Sequence, residues 1–167
     1  WAGETVSHER FWSIENARIG PLPAQDIEVW VGASVPAAIN RAARLGAGWL
    51  GSPSLSPQQS KDQLNQYRQA CAEHDRQPRA VALRRDVYIG TSAKAAAAFK
   101  AKADAKGYRG FAEDALLCGD ANAVAEQFAD FAAAGFTDII VRNMASDQSD
   151  ALATIEALSD VRRQLNL

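Results

Sequence analysis

An α/β fold of parallel strands joined by helical crossovers is what this sequence predicts. Short apolar strand segments alternate along the chain with amphipathic helical ones. Glycine stands where helices stop and strands begin. The same helix–glycine–strand passage occurs twice, at Arg44-Leu45-Gly46-Ala47-Gly48-Trp49-Leu50 and at Ala134-Gly135-Phe136-Thr137-Asp138-Ile139.

Residues 1–26 read as an irregular lead-in, with Gly20, Pro21 and Pro23 near its end. A structureless start of this length is unusual for a complete domain. Trp1 opens the chain with no signal-peptide pattern after it, so the chain is expected to be the C-terminal part of something larger. Ile27, Val29 and Val31 then alternate with Glu28 and Trp30 as a short strand. Ser34 is the expected N-cap of the next helix, with Pro36 in its first turn. Val35, Ala38, Ile39, Ala42 and Leu45 form its apolar face, and Gly46 its C-cap. A second strand covers 47–50.

Ser56-Pro57-Gln58-Gln59 is a capping-box start for a helix to about residue 75, burying Leu64, Tyr67 and Cys71. The longest strand candidate is 79–89. Val81, Leu83, Val87 and Ile89 share one face, with Arg85 as the exception, and Ala82, Arg84, Asp86 and Tyr88 share the other. An alanine-rich helix starts at Thr91-Ser92 and ends near Gly107, with a solvated lysine face. Residues 108–118 read as a loop with a short helix. Asp120 caps a helix carrying Val124, Phe128 and Phe131, and Gly135 ends it. A strand at 137–142 and a helix at 148–164 complete the chain.

These are four strands, each followed by helix. A closed (β/α)8 barrel needs about eight such units. The chain is therefore a small open sheet or the second half of a barrel, and its truncated start favours the half-barrel over 27–167. An isolated half exposes sheet edges, so self-association into a homo-oligomer is expected unless a missing N-terminal half covers them.

Composition narrows the function. A chain of 167 residues can bury one substantial core. Its 47% hydrophobic and 23% charged residues are those of a soluble globular protein. No apolar run approaches the ~20 residues of a membrane span. The net charge of −2 is spread without a basic stripe, which argues against a nucleic-acid partner. Cys71 and Cys118 belong to no CxxC pattern and fit a reducing, cytoplasmic setting. Neither they nor His8 and His74 have metal-ligand spacing.

The turn Gly32-Ala33-Ser34-Val35, between strand and helix, is the first candidate site. Backbone N–H groups exposed at a helix N-terminus suit a phosphate. An ordinary strand-to-helix turn is the alternative, with Ser34 as a plain N-cap.

Four segments in order resemble the C-terminal half of the bacterial luciferase-like superfamily of flavin- or F420-dependent oxidoreductases. Ala17-Arg18-Ile19 with Pro21, Pro23 and Gln25 is similar to that family's approach to its fifth strand. Val29 to Ser34, with Ala37, Arg41, Ala42, Ala43 and Gly48-Trp49, resembles its IWVGGS…A…RAA…GW signature. Asp120-Ala121-Asn122-Ala123-Val124-Ala125-Glu126 stands where members read Pro-Glu-Glu-Val. Ala134-Gly135-Phe136-Thr137-Asp138 with Ile139 and Ile140 resembles the lead into the last strand.

The resemblance implies half of a TIM barrel that binds reduced FMN, or alternatively F420, at the C-terminal ends of its strands. Backbone N–H groups of Gly32, Ala33, Ser34 and Val35 would then hold the cofactor phosphate. Ala33 replaces the usual second glycine, which leaves its N–H available and tightens the approach. Arg142, at the end of the last strand, is a substrate-side candidate or a salt-bridge partner. Tyr108, Arg109 and Phe111 lie in the segment resembling the family's variable loop over the substrate, and surface packing is their alternative. Arg84, Asp86 and Tyr88 fit a structural ion pair inside the barrel better than a site. Trp49 is expected in the core, and Trp30 faces lumen or core.

Relatives that oxidise sugar phosphates with F420 place a lysine after the Gly-Trp strand. Here Gly51-Ser52-Pro53-Ser54-Leu55 carries no cation, so an uncharged or hydrophobic small molecule is the expected substrate. The implied activity is a flavin-dependent monooxygenase acting with O₂. The alternatives are F420-dependent hydride transfer or a non-catalytic half-barrel. Catalytic residues of such enzymes come mostly from the first barrel half, so none is assigned here, and this half alone is expected to be inactive.

Overall fold

The computed structural model describes residues 2–166. Its centre is a parallel sheet of β3 (Trp30–Gly32), β4 (Gly48–Gly51), β5 (Val81–Ile89), β6 (Leu116–Gly119) and β7 (Asp138–Asn143). Helices α1 (Pro36–Leu45), α2 (Pro57–Glu73), α3 (Ala93–Ala105), α4 (Ala121–Ala134) and α5 (Gln148–Gln164) follow the strands in turn. β3 pairs β4 and β4 pairs β5, all parallel. β7 pairs Ala82–Val87 of β5, while β6 pairs Asp86–Ile89. Since Asp86 faces both Leu116 and Arg142 in register, β6 and β7 lie on opposite edges of β5. β6 therefore continues the edge on which β4 stops. The strands β3, β4, β5 and β7 stand side by side in chain order with no reversal, as in one half of a (β/α)8 barrel.

The core lies between sheet and helices. Val81, Leu83, Val87 and Ile89 of β5 pack with Ile39 and Ala42 of α1, Leu64 and Tyr67 of α2, Phe128 and Phe131 of α4, and Val161 of α5. Trp49 is fully buried, stacked on Tyr67 at 5.7 Å and tilted against Phe136 at 6.2 Å. Trp30 is only half-buried and lies over Gly48, where a Cβ would come within 2.7 Å of its ring.

Helix ends follow local chemistry. Ser56 and Gln59 form the capping box of α2. Asp120 and Asp147 cap α4 and α5 through side-chain bonds to Ala123 and Asp150 N–H. Gly46 and Gly135 end α1 and α4 in the left-handed region that glycine adopts at little cost.

Three expectations change. Residues 1–26 are not wholly irregular: β1 (Val6–His8) and β2 (Ile14–Ala17) form an antiparallel hairpin. Both strands are exposed throughout, so no apolar alternation marks them. The loop expected at 108–118 is a 3₁₀ turn (Tyr108–Gly110) followed by β6. β6 is a four-residue apolar run, too short for periodicity to reveal. Ser34 is not the cap of α1. Val35 takes that position in extended conformation, with no side-chain capping bond.

Candidate functional site

The β3–α1 turn sits at the C-terminal edge of the sheet. Trp49 Nε1–H donates to the Ala33 carbonyl at 2.8 Å, tying the turn to the core. Gln63 Nε2 of α2 donates to the Ser34 carbonyl at 2.7 Å. The Ala33 methyl is buried in the core, and its N–H donates to the Leu50 carbonyl at 3.3 Å. That amide is therefore spent, against the expectation that it stays available. The amides of Ser34 and Val35 make no hydrogen bond within the described residues. A Cβ placed on Gly32 would meet nothing within 4 Å. The turn thus faces a cleft of about 240 Å³ that also touches Gly51, Ser52 and Pro53 of the β4–α2 loop, with Arg84 on its wall. Unpaired N–H groups, an uncapped helix start and a guanidinium form an anion-receptive corner.

The β4–α2 loop is anchored from below. Arg85 is fully buried. Its Nη1 donates to the Leu55 carbonyl at 2.7 Å and its Nη2 to Ser60 Oγ at 2.6 Å, while the guanidinium lies 4.8 Å over the Phe131 ring. Burial pushes its pKa down to about 10, so it remains a cation at neutral pH.

On the opposite face of β5, Asp86 organises a second cluster. Its carboxylate takes Arg84 Nη2 at 3.0 Å on Oδ1. Oδ2 accepts the Tyr108 hydroxyl and lies 3.5 Å from Arg142 Nη1 and 3.7 Å from Arg109 Nη1. The Arg142 contact follows from register, since parallel neighbours Asp86 and Arg142 project to one face. Tyr108 and Arg109 arrive on the 3₁₀ turn after α3. Phe111 meets the Tyr108 ring edge-on at 5.5 Å and lies 4.9 Å from the Arg109 guanidinium. Ala112 N–H donates to the Ser54 carbonyl, joining this segment to the β4–α2 loop. Burial, and then the bond to Asp86, push the Tyr108 phenol well above its usual pKa, so it stays protonated.

All four sequence-picked residues outside the turn, Tyr108, Arg109, Phe111 and Arg142, thus meet in one place. Tyr88 does not join them. It stacks on Phe99 at 4.0 Å and reaches Asp150 at 3.4 Å. Sequence reasoning left Asp86 as half of a structural pair. The Arg84-x-Asp86 alternation on one strand face was the available signal, but it named one arginine of three.

The chain matches the model of the family described as luciferase-like monooxygenase over residues 1–109. Over 65 residues it is 34% identical to an F420-dependent glucose-6-phosphate dehydrogenase of Microbacterium testaceum, a stretch covering 38% of this chain and 19% of that protein. The solved monooxygenase RslO1 of Streptomyces bottropensis aligns with a TM-score of 0.77 at 20% identity, over 100% of this chain and 57% of that one. The oxygenating constituent of 3,6-diketocamphane monooxygenase from Pseudomonas putida, a type II Baeyer–Villiger enzyme solved with FMN, aligns with a TM-score of 0.65 at 15% identity, over 93% and 57%. The chain thus spans a little over half the length of these solved relatives, and the fold it shares with them is that of a partial TIM barrel. With the family match covering well over half of its residues, the chain belongs to the luciferase-like monooxygenase family.

Proposed function

We propose that residues 27–167 form the cofactor-phosphate half of a flavin-dependent oxidoreductase, a monooxygenase using reduced FMN and O₂ on a small organic substrate. Residues 1–26 are the lead-in to that half-barrel. The observation that carries this reading is the pair of unspent amides, Ser34 and Val35, beside open space over Gly32 with Arg84 across the cleft. These groups fit a phosphate monoester: two N–H donors, one guanidinium and no carboxylate lining the cleft. Ser34 Oγ, freed from capping, adds a hydroxyl. Gly32 contributes by lacking a side chain, and Ala33 by its Trp49-held carbonyl rather than by its amide.

Bound reduced flavin would supply the electrons for oxygen insertion. The chain's own residues position it: Trp49 and Gln63 fix the turn, and Arg85 fixes the loop facing it. Tyr108, Arg109, Phe111 and Arg142 stand on the substrate side. F420-dependent hydride transfer is the second reading, favoured by the 34% identity to an F420-dependent dehydrogenase.

Among the described residues, β3 pairs only β4, and β7 pairs only β5. These open edges, with Ile27, Val29 and Ile140 exposed beside them, are where a first barrel half, or a second copy of the chain, would add. A cytoplasmic setting accords with the free thiols Cys71 and Cys118. No helix among the described residues is long and apolar enough to cross a membrane.

Titration of the full-length protein with FMN and with F420 tests the reading. Saturable binding of one of them is expected, weak if this half acts alone. Ser34→Asp is expected to weaken binding more than tenfold, about 1.4 kcal/mol. No binding of either at high micromolar concentration would overturn the reading.

A further inference from the structure

Resting on the reading above, we infer that Arg109 and Arg142, assembled on Asp86, receive an anionic group of the substrate, a carboxylate or sulfonate, at a point separate from the cofactor phosphate. The carboxylate of Asp86 is already satisfied. Its side chain is 1% exposed, Oδ1 is held by Arg84 at 3.0 Å, and Oδ2 accepts the Tyr108 hydroxyl. Arg142 and Arg109 share that same Oδ2 from 3.5 and 3.7 Å, longer than a strong charge-assisted bond.

Each guanidinium has five N–H donors in a planar fork, and most of these are unspent. The side chains are 48% exposed for Arg109 and 47% for Arg142, so those donors are open to solvent. Among the described residues no other carboxylate pairs with any of the three arginines. Three guanidiniums against one carboxylate leave an excess of two positive charges, which a structural ion pair does not need.

The backbone adds a second observation. Arg109 is left-handed at φ 50° between Gly107 at 62° and Gly110 at 68°. Such a conformation in a residue with a Cβ is strained and persists only where the surroundings support it. Its guanidinium lies between Asp86 on one side and the Phe111 ring on the other. The turn holds a half-exposed cation beside the Asp86 carboxylate. A planar oxyanion matches the fork geometry of two converging guanidiniums. The expectation of an uncharged substrate came from the Gly51–Leu55 loop alone, whereas these cations come from β7 and the turn after α3.

The test reads the arginine Nε–Hε resonances of the protein while propionate and methanesulfonate are added, with chloride at equal ionic strength as control. It uses no cofactor, so failure of the flavin reading leaves it intact. Saturable shifts at Arg109 and Arg142 with millimolar half-saturation are expected. Arg142→Gln and Arg109→Gln, on two different elements, are each expected to raise the half-saturation roughly tenfold. Arg142→Lys restores only part, since a point charge lacks the fork. Circular dichroism verifies each fold. Shifts matching the chloride control, or unchanged in both glutamine variants, would overturn the inference.

Discussion

Arg85 and Asp86 are consecutive on β5, equally buried, and opposite in what surrounds them. Arg85 faces the helices and is held by neutral acceptors, the Leu55 carbonyl and Ser60 Oγ, against the Phe131 ring. Asp86 faces the other way and is held by three cations and a phenol. The first is a charge used to fasten a loop. The second is a charge used to gather other charges at the open end of the sheet. Burial alone does not separate a structural ion from a functional one. The balance of partners does, because an excess of half-exposed donors has no carboxylate among the described residues to satisfy it.

The largest effect comes from breaking the second environment. Asp86→Ala leaves three guanidiniums facing one another without their counter-charge, and a loss of about 3 kcal/mol in urea unfolding is expected. Added sulfate should recover part of that loss, since a free anion can replace the missing carboxylate. Arg85→Met sharpens the contrast. It removes two hydrogen bonds and leaves the Leu55 carbonyl unpaired, but it also removes a costly buried charge. A smaller loss of about 1–2 kcal/mol is expected, insensitive to sulfate. Equal sulfate responses in the two variants would erase the distinction.

The smallest effect is at alkaline pH. Burial raises Cys118 from 9.0 to about 11 and Tyr67 from 10.0 to about 12. The folded pKa lies above the unfolded one for both groups. Their stabilisation is therefore complete below about pH 9 and is lost as pH rises through 11 to 12. The urea midpoint should fall across that range, and Cys118→Ala should flatten its first part.

Local signals carried most of the fold to the reader of the sequence. Ser56 with Gln59, Asp120 and Gly135 marked helix ends within a residue or two because caps act through neighbours only. The hairpin of β1 and β2 is hidden because exposed strands carry no burial pattern, and β6 because a run of four residues is too short to show a period. Ser34 has the chemistry of a cap, but its neighbours Val35 and Pro36 shift the helix start by one residue, which composition does not reveal. The Asp86 cluster joins residues 22 and 56 positions apart, and only the β5–β7 register and the turn after α3 bring them together. The sequence named Tyr108, Arg109, Phe111 and Arg142 one by one. What it lacked was the carboxylate that makes them a unit.

Whether the β3–α1 turn holds the cofactor phosphate is decided by following backbone amide resonances while FMN is added. Ser34 and Val35 N–H are expected to move furthest and saturate together, with Ala33 N–H moving little because the Leu50 carbonyl already holds it. Saturable shifts centred elsewhere, with Ser34 and Val35 unmoved, would contradict that placement.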